Sequence, residues 1–173
     1  MKKLGLLCLL SLLFVACSSD DDTATVDPLV GNWRMTQYVV EDAYDFNEDG
    51  SANTNLLAEV DCYQNETIQI NADGTAIAIS NSFLIVTAEL VIGTPDQFTY
   101  VLTCETETEA TPLTWSTNGS AVSFIEDDGF TTNATLTSNT QLTFTVPGGF
   151  EISSNDGTTL VIEEDVTIVY TKL

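Results

Sequence analysis

Asp45-Phe46-Asn47-Glu48-Asp49-Gly50 carries oxygen-bearing side chains at alternate positions and ends on glycine, the pattern D-x-N-x-D-G that opens a calcium loop. Alternate oxygens at that spacing converge on one cation, and Gly50 permits the sharp turn that brings them together. Ser51 would add its backbone carbonyl, and Asn53 an oxygen or a positioned water. The twelfth position, where an EF-hand places a bidentate glutamate, is Leu56. Glu59 stands three residues later, so Glu59 or Asp61 would have to close a loop of different shape. Five acids between Glu41 and Asp49 repel one another unless a cation lies among them. Two readings stand: a structural calcium site on Asp45, Asn47, Asp49, Ser51 and Glu59, or an acidic turn that needs no metal.

Other signs of reactivity are scarce. The chain has no histidine, which removes His-based triads and the commonest zinc ligand. No glycine-rich loop is followed by a phosphate-binding lysine. Glu126-Asp127-Asp128 and Glu163-Glu164-Asp165 read as solvated turns. Paired carboxylates can do acid–base work, but nothing in the sequence brings two of them into one pocket. The expectation is a protein that is not an enzyme.

The elements around these residues read as strands. Ile68 and Ile70 alternate with Thr67 and Gln69, and Asn71-Ala72-Asp73-Gly74 turns the chain into Thr75–Ile79. Phe98, Tyr100, Leu102 and Cys104 share one face, while Glu105, Glu107 and Glu109 fall on the other parity and face solvent. Further strands are expected at Asn32–Val40, Phe83–Val91, Pro112–Ser116, Ala121–Ile125, Thr132–Leu136 and Gln141–Val146, with the last through Val166, Ile168 and Tyr170. Asn118-Gly119 and Asp127-Asp128-Gly129 mark turns between them. That makes eight to ten short-spaced strands, with one short helix possible over 52–60. Consecutive hairpins must hide their edges, and a closed antiparallel barrel does so.

At the front, Lys2 and Lys3 precede an apolar stretch from Leu4 to Val15 that is too short to span a bilayer. Leu13-Phe14-Val15-Ala16-Cys17 follows, then Ser18-Ser19-Asp20-Asp21-Asp22. This resembles a bacterial lipobox, with Phe14 in place of the usual leucine. The resemblance implies a signal peptide over 1–16, acylation of Cys17, an acidic tether over 17–28 and a folded domain over 29–173. It also implies attachment to the Gram-negative outer membrane through acyl chains, since more than one chain anchors stably. The run Ser19–Asp22 resembles an export signal to the cell surface, or is simply a solvated spacer. Asp22-Thr23-Ala24 resembles a bacterial O-glycosylation site. In that compartment Cys62 and Cys104 remain as an even pair after Cys8 is removed and Cys17 is acylated. They are expected to form a disulfide, the alternative being two free thiols.

Removing 1–16 takes two of the four basic residues and none of the 26 acids, leaving Arg34 and Lys172 and a formal charge of −24. Such a chain cannot neutralise nucleic-acid phosphates or dock electrostatically on anionic lipid. It can attract cations or a basic protein partner.

Gly31-Asn32-Trp33 opens the first strand. With Asp45–Gly50, Asn55-Leu56-Leu57, Cys62, Asn71–Thr75, Cys104 and Trp115 it resembles the lipocalin-like lipoproteins of bacterial envelopes. The resemblance implies an up-and-down barrel plugged by Trp33. The competing architecture is an immunoglobulin-like sandwich, which expects a tryptophan between the bridged cysteines; here Trp33 precedes both and Trp115 follows both. A lipocalin-like barrel would hold a small apolar or amphipathic ligand against inward rows such as Phe98/Tyr100/Leu102 and Leu142/Phe144/Val146. The alternative is a barrel filled by its own side chains, serving as a structural or protein-interacting surface lipoprotein with a rigidifying calcium loop.

Overall fold

The computed structural model describes residues 27–94, 97–155 and 159–173. The signal peptide, Cys17, the O-glycosylation match and all of the tether except Asp27 and Pro28 lie outside the described residues.

Nine strands run in order: β1 (Gly31–Tyr44), β2 (Asn53–Asn55), β3 (Thr67–Ile70), β4 (Thr75–Leu90), β5 (Phe98–Asn118), β6 (Ala121–Glu126), β7 (Thr131–Ser138), β8 (Gln141–Ser154) and β9 (Leu160–Lys172). Within the span 52–60, a single 3-10 turn at Leu56–Ala58 takes the place of a helix, capped by the Asn55 side chain on the Leu57 amide. Each strand from β3 to β8 pairs with its successor, β3 also pairs β1, and β9 returns to β1. The result is a closed antiparallel barrel of eight strands, with β2 as a ninth beside β1. One contact is parallel: Val86–Ala88 of β4 lies against Ile152–Ser154 of β8.

Two strands are longer than the sequence suggests. Thr75–Ile79 and Phe83–Val91 belong to one strand, β4, and Phe98–Cys104 and Pro112–Ser116 to another, β5. The joints are polar: Ser80-Asn81-Ser82 on one side and Glu105 to Glu109 on the other. At this point the register slips, with β4 advancing from Ser80 to Ser82 while β5 runs from Glu109 to Thr106. The extra residue is a β-bulge, and it reverses which face of β5 points inward. Leu113 and Trp115 face the core on one side of it, Tyr100 on the other.

This slip divides the interior into two cores. At the closed end, Leu29, Trp33, Ile68, Ile70, Val122, Phe124, Leu142 and Phe144 pack together. In the far lobe, Tyr38, Val40, Tyr44, Leu56, Val86, Phe150, Ile152 and Val166 form the second. Trp33 is wholly buried, and its indole N–H donates to the Leu29 carbonyl at 2.8 Å. Lys172 crosses above it, its ammonium 5.6 Å from the ring centroid and 2.5 Å from the Pro28 carbonyl. Gly31 lies directly beneath this crossing. Its φ is +146°, and a Cβ there would sit 2.8 Å from the Lys172 Cε. Glycine, lysine and tryptophan of the G-x-W region are thus stacked at one place on the barrel.

Candidate functional site

The barrel interior is largely occupied by its own side chains. Leu142 is fully buried, Phe144 nearly so, and Val146 partly. Phe144 and Val146, but not Leu142, line a cavity of about 220 Å³ with Ile68, Phe124, Ile168 and Tyr170. Ligand pockets for drug-sized molecules run from about 300 to 1,000 Å³, so this space suits a fragment at most.

The second expected row is elsewhere. Phe98, Tyr100 and Leu102 lie in the far lobe, with Phe98 exposed, and they do not share the barrel cavity with Phe144 and Val146. The two rows belong to different sites because the bulge moves the inward face of β5. Phe98, Tyr100 and Leu102 instead line an open groove of about 580 Å³ with Tyr44, Phe46 and Ile162. Asp42, Asp45 and Glu48 stand at the same groove. Its floor is an aromatic cluster: Tyr44 stacks on Phe46 at 4.8 Å, and Tyr100 meets both edge-on at 6.0 and 5.5 Å. The groove therefore joins an apolar wall to an acidic rim.

The Asp45 loop forms one side of that groove and is tightly self-bonded. Asp45 accepts from the amides of Asp49 and Gly50, both at 3.0 Å, through its two oxygens. Asn47 accepts from the Asp49 amide at 2.9 Å, and Asp49 from the Ser51 amide at 2.8 Å. Glu59 reaches in from beyond the 3-10 turn. One of its oxygens accepts from the amides of Phe46 and Asn47 at 3.1 and 3.4 Å, and the other accepts from the Asn53 side chain. Asp45, Asn47, Asp49, Ser51 and Glu59 are thus gathered at one loop, an all-oxygen set of the kind calcium takes. Among the described residues, no group of three or more His, Cys, Asp or Glu side chains is placed to share a metal ion.

Glu59 is one of three buried glutamates, with Glu66, which sequence reading did not single out, and Glu164. Glu164, which the sequence places in a solvated turn, lies inside β9 and is 5% exposed. The β1–β9 pairing runs only as far as Val39, and just beyond it Glu164 accepts from the amides of Glu41 and Asp42 at 2.8 and 3.1 Å. Its other oxygen takes the Tyr44 hydroxyl. Glu66 does the same where the β3–β4 pairing ends at Ile79, accepting from the Asn81 amide at 2.7 Å and the Ser82 hydroxyl at 3.2 Å. Glu59 serves the amides past the end of β1. Each carboxylate replaces a missing strand, because an unpaired buried amide costs about 1–3 kcal/mol. These acids act as structural acceptors, each taking at least one backbone amide and one side-chain donor.

The remaining gap, between β4 and β8, is closed by tyrosines. Tyr38 and Tyr63 stack in parallel at 4.8 Å. The Tyr63 hydroxyl accepts from the Leu84 amide at 3.0 Å, while Tyr38 donates to the Gly149 carbonyl at 2.9 Å. Tyr63 has φ +62°, a conformation uncommon for a bulky residue. Its neighbour Cys62 forms the expected disulfide with Cys104, with Cα atoms 5.7 Å apart, and so pins this segment to β5. Burial pushes all five tyrosines upward from their ordinary value, reinforced at Tyr44 by the hydrogen bond to Glu164. At neutral pH they act as uncharged hydroxyls. Asp73, in the turn between β3 and β4, is held low by the hydroxyl and amide of Thr75.

Comparison with family models, curated proteins and solved structures finds no match. Among the described residues no helix is long and apolar enough to cross a membrane.

Proposed function

We propose that this chain is a lipid-anchored envelope protein whose lipocalin-like barrel carries a binding groove for a small apolar or amphipathic ligand. The groove in the far lobe is the observation that carries this reading. Tyr44, Phe46, Phe98, Tyr100, Leu102 and Ile162 offer an apolar wall, and Asp42, Asp45 and Glu48 an anionic rim. An apolar body with a neutral or cationic head suits that combination, and a carboxylate head is repelled. The test uses three fluorescent amphiphiles with one apolar body and cationic, neutral or anionic heads. Cationic and neutral probes should bind, more weakly to Phe98→Ala and Tyr100→Ala, with the anionic probe weakest. Equal binding of all three, or binding indifferent to both substitutions, overturns the reading.

Anchoring rests on Lys2, Lys3 and the Leu13–Cys17 sequence, and a cell-surface address on the Ser19–Asp22 run. Palmitate should label the wild type and not Cys17→Ala in an envelope fraction. Calcium at the Asp45 loop is a companion proposal resting on the D-x-N-x-D-G pattern and on Glu59 closing the same loop. Millimolar calcium should then raise the melting temperature, chelator should reverse the rise, and Asp45→Asn should abolish it. A melting temperature indifferent to both reagents removes the metal.

A further inference from the structure

β5 is paired on one side for most of its length and on the other for only a third. β4 covers it from Phe98 to Thr114. β6 covers its second edge from Leu113 to Asn118 only. Among the described residues no strand pairs with that second edge from Phe98 to Pro112. Pro112 stands at the branch point, where a residue without an amide proton is tolerated because its outer side is an edge.

A bare edge is a template for another strand, and proteins usually blunt it with charge, proline or bulges. Here the protection is confined to one half. Glu105, Glu107 and Glu109, the bulge opposite Ser80–Ser82 and Pro112 all lie between 105 and 112. The other half, Phe98-Thr99-Tyr100-Val101-Leu102-Thr103-Cys104, has no charge, no proline and a composition that favours strand pairing. The outer face beside it is apolar as well. Phe83 is 50% exposed, Ile85 40% and Val101 55%, and Ile85 and Val101 lie on adjoining rungs.

We infer that the free edge of β5 is a docking site for an extended, basic segment of a partner protein, which adds a strand along Phe98–Cys104 and directs lysines or arginines at Glu105, Glu107 and Glu109. Charge decides the occupant. A second copy would bring the same three glutamates and a net charge of −22, and like charges across a strand pair are destabilising. A basic segment has main-chain bonds along the uncharged half and opposite charges along the acidic half, the combination that gives strand addition both affinity and orientation.

The experiment compares two synthetic peptides of alternating valine and threonine, one ending in lysines and its twin in glutamates. The lysine peptide should bind at least tenfold more tightly, lose affinity with added salt, and slow hydrogen exchange at the amides of 98–112. A Glu105→Lys, Glu107→Lys, Glu109→Lys variant changes only exposed side chains and should reverse the preference. Three outcomes overturn the inference: equal affinity for the two peptides, protection away from β5, or a dimer through this edge that neither salt nor the triple variant affects.

Discussion

The closed end and the far lobe of the barrel are built from the same alternating strands, yet they solve different problems. At the closed end every strand has two neighbours. The ladders consume the backbone groups, and the interior is hydrocarbon and aromatic. In the far lobe β1 leaves β3 and β9, β3 ends, and β4 meets β8 only along the short parallel contact of Val86–Ala88. Glu59, Glu66 and Glu164 then stand in for absent strands, Tyr38 and Tyr63 fill the fork, and a disulfide holds the arrangement together. The difference teaches that where β1 leaves β9 and β3 leaves β4, buried side chains take over the work of the ladder.

The largest expected effect lies at the closed end. Trp33→Ala removes a fully buried side chain and should cost about 4 kcal/mol, measured by urea unfolding. Hydrogen exchange should accelerate in both lobes, because the closed end holds the global core. Acceleration confined to β1, β3 and β9 would mean that the far lobe folds without it.

Removing the disulfide with Cys62→Ser and Cys104→Ser opens a loop of 42 residues. In the chain-entropy view this costs up to about 4 kcal/mol. It should loosen the far lobe first, with β5 amides from 98 to 106 exchanging ahead of β6 and β7. A uniform rise in exchange would erase the proposed division.

Glu164→Gln should cost about 2 kcal/mol. The amide can keep the Glu41 and Asp42 amides on one oxygen, but its NH2 cannot accept from the Tyr44 hydroxyl, and all three bonds lose the charge of the carboxylate. Substituting the exposed Glu163 in the same way should leave the urea midpoint unchanged. Equal effects at the two positions would mean that the buried carboxylates do not replace the ladder.

The smallest effect is with pH. Tyr38, Tyr44, Tyr63 and Tyr100 pack in the far lobe, and Tyr170 between the lobes. Their folded values lie above the unfolded value of 10.0. The stability they confer is therefore complete below that pH and is lost as pH rises through the folded values. The urea midpoint should stay level to about pH 9 on this account and fall beyond about pH 10. Tyrosinate absorbance should appear with the loss of far-lobe protection.

Where the ladder is complete, the fold is legible residue by residue. Ile68 and Ile70, Val122 and Phe124, and Leu142 and Phe144 alternate because they face one interior, and the turns at Asn71–Gly74, Asn118-Gly119 and Asp127–Gly129 follow from their composition. The joints of β4 and β5 were hidden because Ser80-Asn81-Ser82 and Glu105 to Glu109 carry no apolar alternation, and strand pairing alone continues the chain through them. Glu164 was misread because its burial depends on where β1 and β9 separate, which no local pattern records. The groove was half legible. Phe98, Tyr100 and Leu102 announce a shared face, but their meeting with Tyr44 and Phe46 needs the bulge to turn that face toward the Asp45 loop.

The seam between β1 and β9 has a consequence in time. It joins residues such as Thr36 and Thr171, 135 positions apart along the chain. Contacts of such span form slowly, because the intervening chain must be ordered before they give any return. The hairpins β4–β5 through β8–β9 can assemble from neighbours, but the barrel shuts only when β9 finds β1. Until then Trp33 has no lysine above it, and both edges of the seam stay exposed. The order of assembly is thus set by the topology, with the neighbouring hairpins first and the β1–β9 seam last.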